Sequence, residues 1–192
     1  MHNAFIAQGF KCLHHKPERF AEILDQSNPN PDFSIFKDWD LLSDIPASLY
    51  YREFMQVFPD LKIILTVRDE DAWWRSILNH YKKLPLKYPT WKDILLPKLG
   101  FKRWPGRLGV IDSELKVRVR RMAYGDELPS EFLYKKRFRE HNYAVESFVP
   151  KEKLLKIDIT KGQGWKEICP FLGLPLIDQP FPHSNQKASL AS

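Results

Sequence analysis

The segment LKIILTV, residues 61–67, constrains the fold of this chain more than any other stretch. It is a run of mostly apolar, β-favouring residues. Pro59-Asp60 precedes it and Arg68-Asp69 ends it abruptly. A run this continuous, without polar alternation, predicts a strand buried on both faces, which is the habit of parallel sheets covered by helices. KLLKIDI (153–159) has the same character, and FKCL (10–13) predicts a shorter strand.

The stretches between these strands carry helical signals. HNAFIAQGF opens the chain with helical spacing, and KPERFAEILDQS places Phe20, Ile23 and Leu24 on one face. NPNPD (28–32) is a turn cluster. DIPASLYYREFMQVFPD predicts a helix opened at Pro46 and closed before Pro59. DEDAWWRSILNHYKK follows the main strand with acids in its first turn and Lys82-Lys83 at its end, which matches the helix dipole. Further helices are expected around 110–124 and 129–148, and GWKEICPFLG predicts a short last one. The stretch 84–109, rich in proline, glycine and aromatics, predicts a long excursion over the surface that extends in function to about 124. Residues 178–192 form an irregular tail. Strands alternating with helices predict an α/β fold: a single domain over 1–192, with a three-layer parallel sheet flanked by helices.

Composition narrows the function. With 192 residues, 43% of them hydrophobic, the chain can bury one substantial core. It contains no run of about 18 apolar residues, so no membrane span is expected, and the N-terminus lacks the layout of a signal peptide. Cys12 and Cys169 alone make neither a disulfide framework nor a metal cage, which predicts two ordinary thiols in a reducing cytoplasm and no metal site. The net charge of +6 favours anionic ligands. It concentrates in KVRVRR (116–121) and KKRFR (135–139), where so few aromatics are interleaved that solvated helix faces or phosphate contacts are expected before nucleic acid.

The chemistry centres on Arg68 and Ser76. In an open α/β sheet, ligands bind beyond the carboxyl ends of the parallel strands. LKIILTV delivers Arg68 to that place, and Ser76 lies about two turns into the helix that follows. An arginine offers two parallel N–H donors to a phosphate, and a serine hydroxyl adds a third. The competing interpretation is that Arg68 and Asp69 cap the helix while Ser76 is merely solvated.

ILTVRDEDAWWRS resembles the 3′-phosphate segment of sulfotransferases, in which a strand ends in an arginine and a serine lies eight residues later. SDIPASLYYREFMQVFPDLKIILTVRDEDAWWRS looks like the branch of that family with D-x-P-A, a short helix, a F/Y-P-D/N turn and the strand. HNYAVESFVPKEKLLKIDITKGQGWKEICPFLGLPLIDQPFPHSN is similar to the C-terminal half of the same branch. The resemblance implies a P-loop-type α/β fold, an anionic nucleotide co-substrate, 3′-phosphoadenosine 5′-phosphosulfate, and transfer of its sulfuryl group to a hydroxyl or amine of a small-molecule acceptor. It implies that Arg68 and Ser76 bind the 3′-phosphate. It also places Asp44 where other branches carry a histidine that serves as catalytic base, although Asp44 is equally suited to capping the helix that starts at Pro46.

The chain departs from the family at one point. The strand and loop of the kind G-x-x-[KR]-[ST]-G-T-[ST]-S-L, which cradle the 5′-phosphosulfate, are absent from the sequence. HNAFIAQGFKCLHH resembles the helix that directly follows that loop, so the expectation is an N-terminally shortened copy; the alternative is a catalytically inactive homologue that keeps a nucleotide- or protein-binding surface. KGQGWK (161–166) is the nearest substitute for a phosphate-binding turn. Of the remaining candidates, His14 and His15 follow a strand, so at most one of them is expected to face the site. His141-Asn142 predicts a hydrogen-bonding pair on a helix. One of Trp73 and Trp74 should anchor its helix in the core, and Trp39 is either an adenine platform or a packing aromatic. The acceptor itself is not encoded in any recognisable pattern.

Overall fold

The computed structural model describes residues 1–25, 27–83 and 106–182, together with positions 95 and 99. Most of the expected excursion over 84–109, and the tail beyond 182, lie outside the described residues.

Four strands are found among the described residues, and they pair in parallel: β1 (Cys12–His14) with β2 (Leu41–Ser43), and β3 (Ile63–Thr66) with β4 (Leu154–Ile157). Helices follow the pattern of the sequence. They are α1 (His2–Ile6), α2 (Ala21–Leu24, entered through a 3-10 turn at Pro17–Phe20), α3 (Tyr51–Val57), α4 (Glu70–Lys83), α5 (Gly106–Tyr124), α6 (Glu131–Phe148) and α7 (Trp165–Leu172). Pro46 does not open α3 directly, because a 3-10 turn over Ala47–Tyr50 comes between them.

The three layers are visible in how side chains leave the strands. Along β3, Ile63 and Leu65 face a cluster built from Tyr51 of α3 and Val145 of α6, whereas Ile64 faces the opposite cluster of Phe5, Trp165 and Ile168. β4 divides in the same way, with Leu154 on the first side and Leu155 and Ile157 on the second. Helices thus cover both faces, as the continuous apolar run predicts. A further aromatic core of Phe20, Phe33, Phe36 and Phe54 packs under β1 and β2 with Leu13 and Val119.

The described strands form two separate parallel pairs, β1-β2 and β3-β4, with no ladder between β2 and β3. As a result Ile63 and Ile64 are only half-buried, and Leu65 alone in β3 is fully inside. The two pairs are bridged on one face by α1, which contacts β1 and β2 and sets Phe5 against Trp165 with ring centroids 5.3 Å apart.

Candidate functional site

Arg68 stands two residues beyond the last residue of β3, where the strand hands over to α4. Its position is fixed from both sides. The Val67 amide donates to the Ile157 carbonyl at 2.8 Å, extending the pairing with β4. Asp69 caps α4, its Oδ1 accepting from the Ala72 amide at 2.8 Å. The Asp69 carboxylate therefore serves the helix, as one interpretation of the sequence expects of it. It does not satisfy the arginine: Arg68 Nε is buried and has no hydrogen-bond partner among the described residues. A buried, unpaired guanidinium donor is costly, about 1–3 kcal/mol or more for a charged group. Such a group is retained where something else is to meet it. Ser76 lies in the second turn of α4 and is exposed.

The second cluster gathers at the carboxyl ends of β1 and β2. Asp44 follows β2 with a left-handed backbone, φ 68°, a conformation that aspartate tolerates better than most residues other than glycine. Its Oδ1 accepts from the Ile45 amide at 2.8 Å, and its backbone carbonyl, not its side chain, receives the Ser48 amide. The cap expected of its carboxylate is therefore supplied by the main chain, which leaves Oδ2 to the histidines. His14 Nε2 lies 3.7 Å from Oδ2 and His15 Nδ1 lies 3.9 Å from it. Both rings reach one carboxylate because β1 ends at His14 and His15 turns away from the strand with φ 39°. Only His14 of the two lines the adjacent cavity, and its Nδ1 sits 3.1 Å from Ser43 Oγ.

Sequence reasoning missed His2. Its ring stacks on His14, centroids 4.7 Å apart, and its Nδ1 is buried without a hydrogen-bond partner among the described residues. Burial, then the neighbouring His14, then the N-terminal amine hold it below the usual histidine range. No periodicity could have signalled this, because His2 and His14 sit on different elements and meet only when α1 folds back over β1.

A cavity of about 680 Å³ adjoins both clusters. His14 and Asp44 line it at the strand ends, and Trp73, Tyr124, Phe138 and His141 line it from α4, α5 and α6. Trp73 stacks on Phe138 at 4.5 Å between centroids, while Trp74 packs edge-on against the fully buried Tyr134. Thus Trp74 is the core anchor and Trp73 the cavity wall. Tyr124 is pushed well above the ordinary phenol range by burial first, then by Tyr81, Asp44 and Tyr134, so it stays protonated and can donate. His141 packs edge-on against Tyr51 and is held low by burial, which makes it a neutral wall residue. Trp39 also lines the cavity, with Lys11 Nζ 5.0 Å from its ring centre. Arg68 and Ser76 are not among the lining residues, so the cavity and the arginine are neighbouring features.

Two other candidates resolve as structure. In KGQGWK, Gly164 begins α7, and a Cβ there would lie 2.6 Å from Phe181 Cβ, so the glycine is used for packing. The basic runs are largely spent on internal pairs. Arg139 meets Glu70, Lys135 meets Asp71 and Glu131, and Lys136 and Arg137 share Glu140. Arg120 lies over the Tyr81 ring, and Arg118 donates to the Leu24 carbonyl. Among the described residues no cluster of metal-ligating side chains occurs, and no helix is long and apolar enough to cross a membrane.

The family model described as a sulfotransferase domain matches residues 4–190. A curated relative, the Ava biosynthesis cluster protein M of Aspergillus versicolor, is 29% identical over 160 residues, which take in 76% of this chain and 54% of that protein. The chain therefore spans about half the length of that relative.

Proposed function

Since the chain belongs to the sulfotransferase-domain family, we propose that it handles 3′-phosphoadenosine 5′-phosphosulfate, with Arg68 and Ser76 on the 3′-phosphate and a small-molecule hydroxyl or amine acceptor in the aromatic cavity. The single observation that carries the proposal is the buried Arg68 Nε at the carboxyl end of β3, which has no partner among the described residues. A phosphate there would satisfy it with charge-assisted bonds, and the exposed Ser76 hydroxyl in the second turn of α4 would add another. The donor supplies the sulfuryl group and leaves as the bisphosphate.

On the acceptor side, Asp44 and His14 share the work of a base. Their 3.7 Å separation lets the carboxylate orient His14 or accept the acceptor proton itself. The walls of Trp73, Phe138 and His141 exclude water and favour a flat apolar acceptor. Cys12 and Cys169 are free thiols, in keeping with a cytoplasmic setting.

A second reading, nucleotide binding without transfer, rests on the same buried Arg68 Nε, which a phosphate satisfies whether or not the sulfuryl group moves. Calorimetry with adenosine 3′,5′-bisphosphate tests the binding half; saturable one-to-one binding is expected, and none at millimolar nucleotide would remove it. A radiolabelled transfer assay over phenols, aliphatic alcohols and amines separates the two readings.

A further inference from the structure

One line of side chains on α6 runs Lys135, Arg139, Asn142, Glu146. Steps of four, three and four residues keep all of them on one face of the helix. Three of them bond across to neighbouring elements. Lys135 meets Asp71 at 2.6 Å and Arg139 meets Glu70, both in the first turn of α4, and Glu146 meets Lys156 of β4 at 2.8 Å. Asn142 has no such partner among the described residues, and it lines the cavity.

The register of this seam sets Asn142 level with Arg68. α4 and α6 run antiparallel along it, since Asp71 follows Glu70 on one helix while Lys135 precedes Arg139 on the other. Beyond Glu70 the facing chain leads back into β3, where Leu65 is the register partner of the Lys156 that Glu146 reaches. Asn142 lies three residues along the seven from Arg139 to Glu146, and the same fraction of the five from Glu70 back to Leu65 falls at Arg68. Val145, one turn on from Asn142, shares a cluster with Leu65 and Val67, which agrees with this register. Two groups rich in N–H donors thus stand level at the corner of β3 and α4, and the buried Nε of one has no partner among the described residues. Donors do not satisfy one another, whereas an anion between them satisfies both.

Resting on the assignment of Arg68 to the 3′-phosphate, we propose that Asn142 is a further ligand of that phosphate, its amide N–H donating to an oxygen on the cavity side. Ser76 approaches from α4 and Asn142 from α6, with Arg68 between the two elements. An amide suits the place, because it adds a donor without setting a second positive charge against the guanidinium. It also ties the phosphate to the acceptor wall, since Phe138 and His141 line the cavity from the same stretch of α6.

Calorimetry on the natural chain, Asn142→Leu and Asn142→Asp tests this with adenosine 3′,5′-bisphosphate and with adenosine 5′-monophosphate, which lacks the 3′-phosphate. Asn142→Leu should weaken bisphosphate binding by about tenfold or more. Asn142→Asp sets a like charge against the phosphate and should weaken it further. Monophosphate affinity should move by less than about twofold in either variant, because that nucleotide never meets the amide. Bisphosphate affinity unchanged in both variants, or an equal loss for the two nucleotides, would overturn the proposal. The natural chain gives an independent reading: the Asn142 side-chain amide resonance should shift with bisphosphate and stay in place with monophosphate, and a resonance indifferent to both would also overturn it. Arg68→Met keeps the two claims apart. If that variant binds bisphosphate weakly while the Asn142 variants bind normally, the role of Arg68 stands and that of Asn142 falls; no binding by the natural chain removes both.

Discussion

Replacing Arg68 with methionine separates a ligand-binding arginine from a structural one. Methionine keeps most of the aliphatic length of the side chain and removes the guanidinium, including the Nε that is buried without a partner among the described residues. If that donor waits for phosphate, the folded chain loses no internal hydrogen bond on substitution. It sheds an unsatisfied buried group whose presence costs about 1–3 kcal/mol. For a domain of this size 1 kcal/mol moves the thermal midpoint by about 2–4 °C. Arg68→Met should therefore melt no lower than the natural chain, and up to several degrees higher. Binding of adenosine 3′,5′-bisphosphate should move the other way. A hydrogen bond to a charged partner contributes about 1.5–3 kcal/mol, so losing it weakens the dissociation constant by about 10- to 150-fold. Calorimetry for binding and scanning fluorimetry for stability give both numbers on one preparation. The opposite pattern, a midpoint lowered by several degrees with affinity unchanged, would refute the phosphate role and make Arg68 a packing residue of the β3–α4 corner.

Three further perturbations follow from the geometry. Asp44→Asn should leave bisphosphate binding intact and cut the transfer rate at saturating donor by about 100-fold or more; an unchanged rate would return the base role to another group. Gly164→Ala forces a Cβ to within 2.6 Å of Phe181 Cβ, so the tail residue must move, and a loss of about 1–3 kcal/mol is expected in chemical denaturation. His141 is held below its ordinary 6.5 by burial, so the unfolded chain binds a proton that the folded chain refuses. Its contribution to stability is complete above about pH 6.5 and falls as the pH drops below it, by at most about 1.4 kcal/mol per pH unit. His141→Phe should flatten that acid-side slope in denaturation measured from pH 7.5 to 5, with the remaining slope carried in part by His2, which is shifted in the same direction.

What the sequence disclosed was local in origin. LKIILTV is a strand because its apolar run is bounded by Pro59 and by Arg68-Asp69, and α4 begins where Asp69 can cap it. Those signals lie within a few residues, and they sufficed to put Arg68 at a strand end. Pairing is another matter. Ile63 aligns with Leu154 and Cys12 with Leu41, choices made by how α1, α6 and α7 pack over the strands. Nothing near Thr66 or Ser43 in sequence says that β2 and β3 leave an open gap between them. The histidine cluster was half legible. His14 and Asp44 stood out as residue types, but the left-handed turns at His15 and Asp44, which aim them at one another, arise from the way the chain leaves each strand.

The gap and the two halves of the site are mechanically one problem. Asp44 rides on the end of β2 and Arg68 on the end of β3, so their spacing is the spacing of the two strand pairs. With no ladder between them, that spacing rests on side-chain packing, chiefly α1 below and α3 above. Packing of this kind is softer than a hydrogen-bonded ladder, because it fixes no register. Positioning errors near 1 Å between the acceptor-side carboxylate and the phosphate-side arginine can cost about 100-fold in rate. Arg68 needs only its own corner of β3 and α4 to hold a phosphate, whereas transfer needs both halves in register. Substitutions that loosen the packing between the two strand pairs should therefore act on turnover far more than on nucleotide affinity.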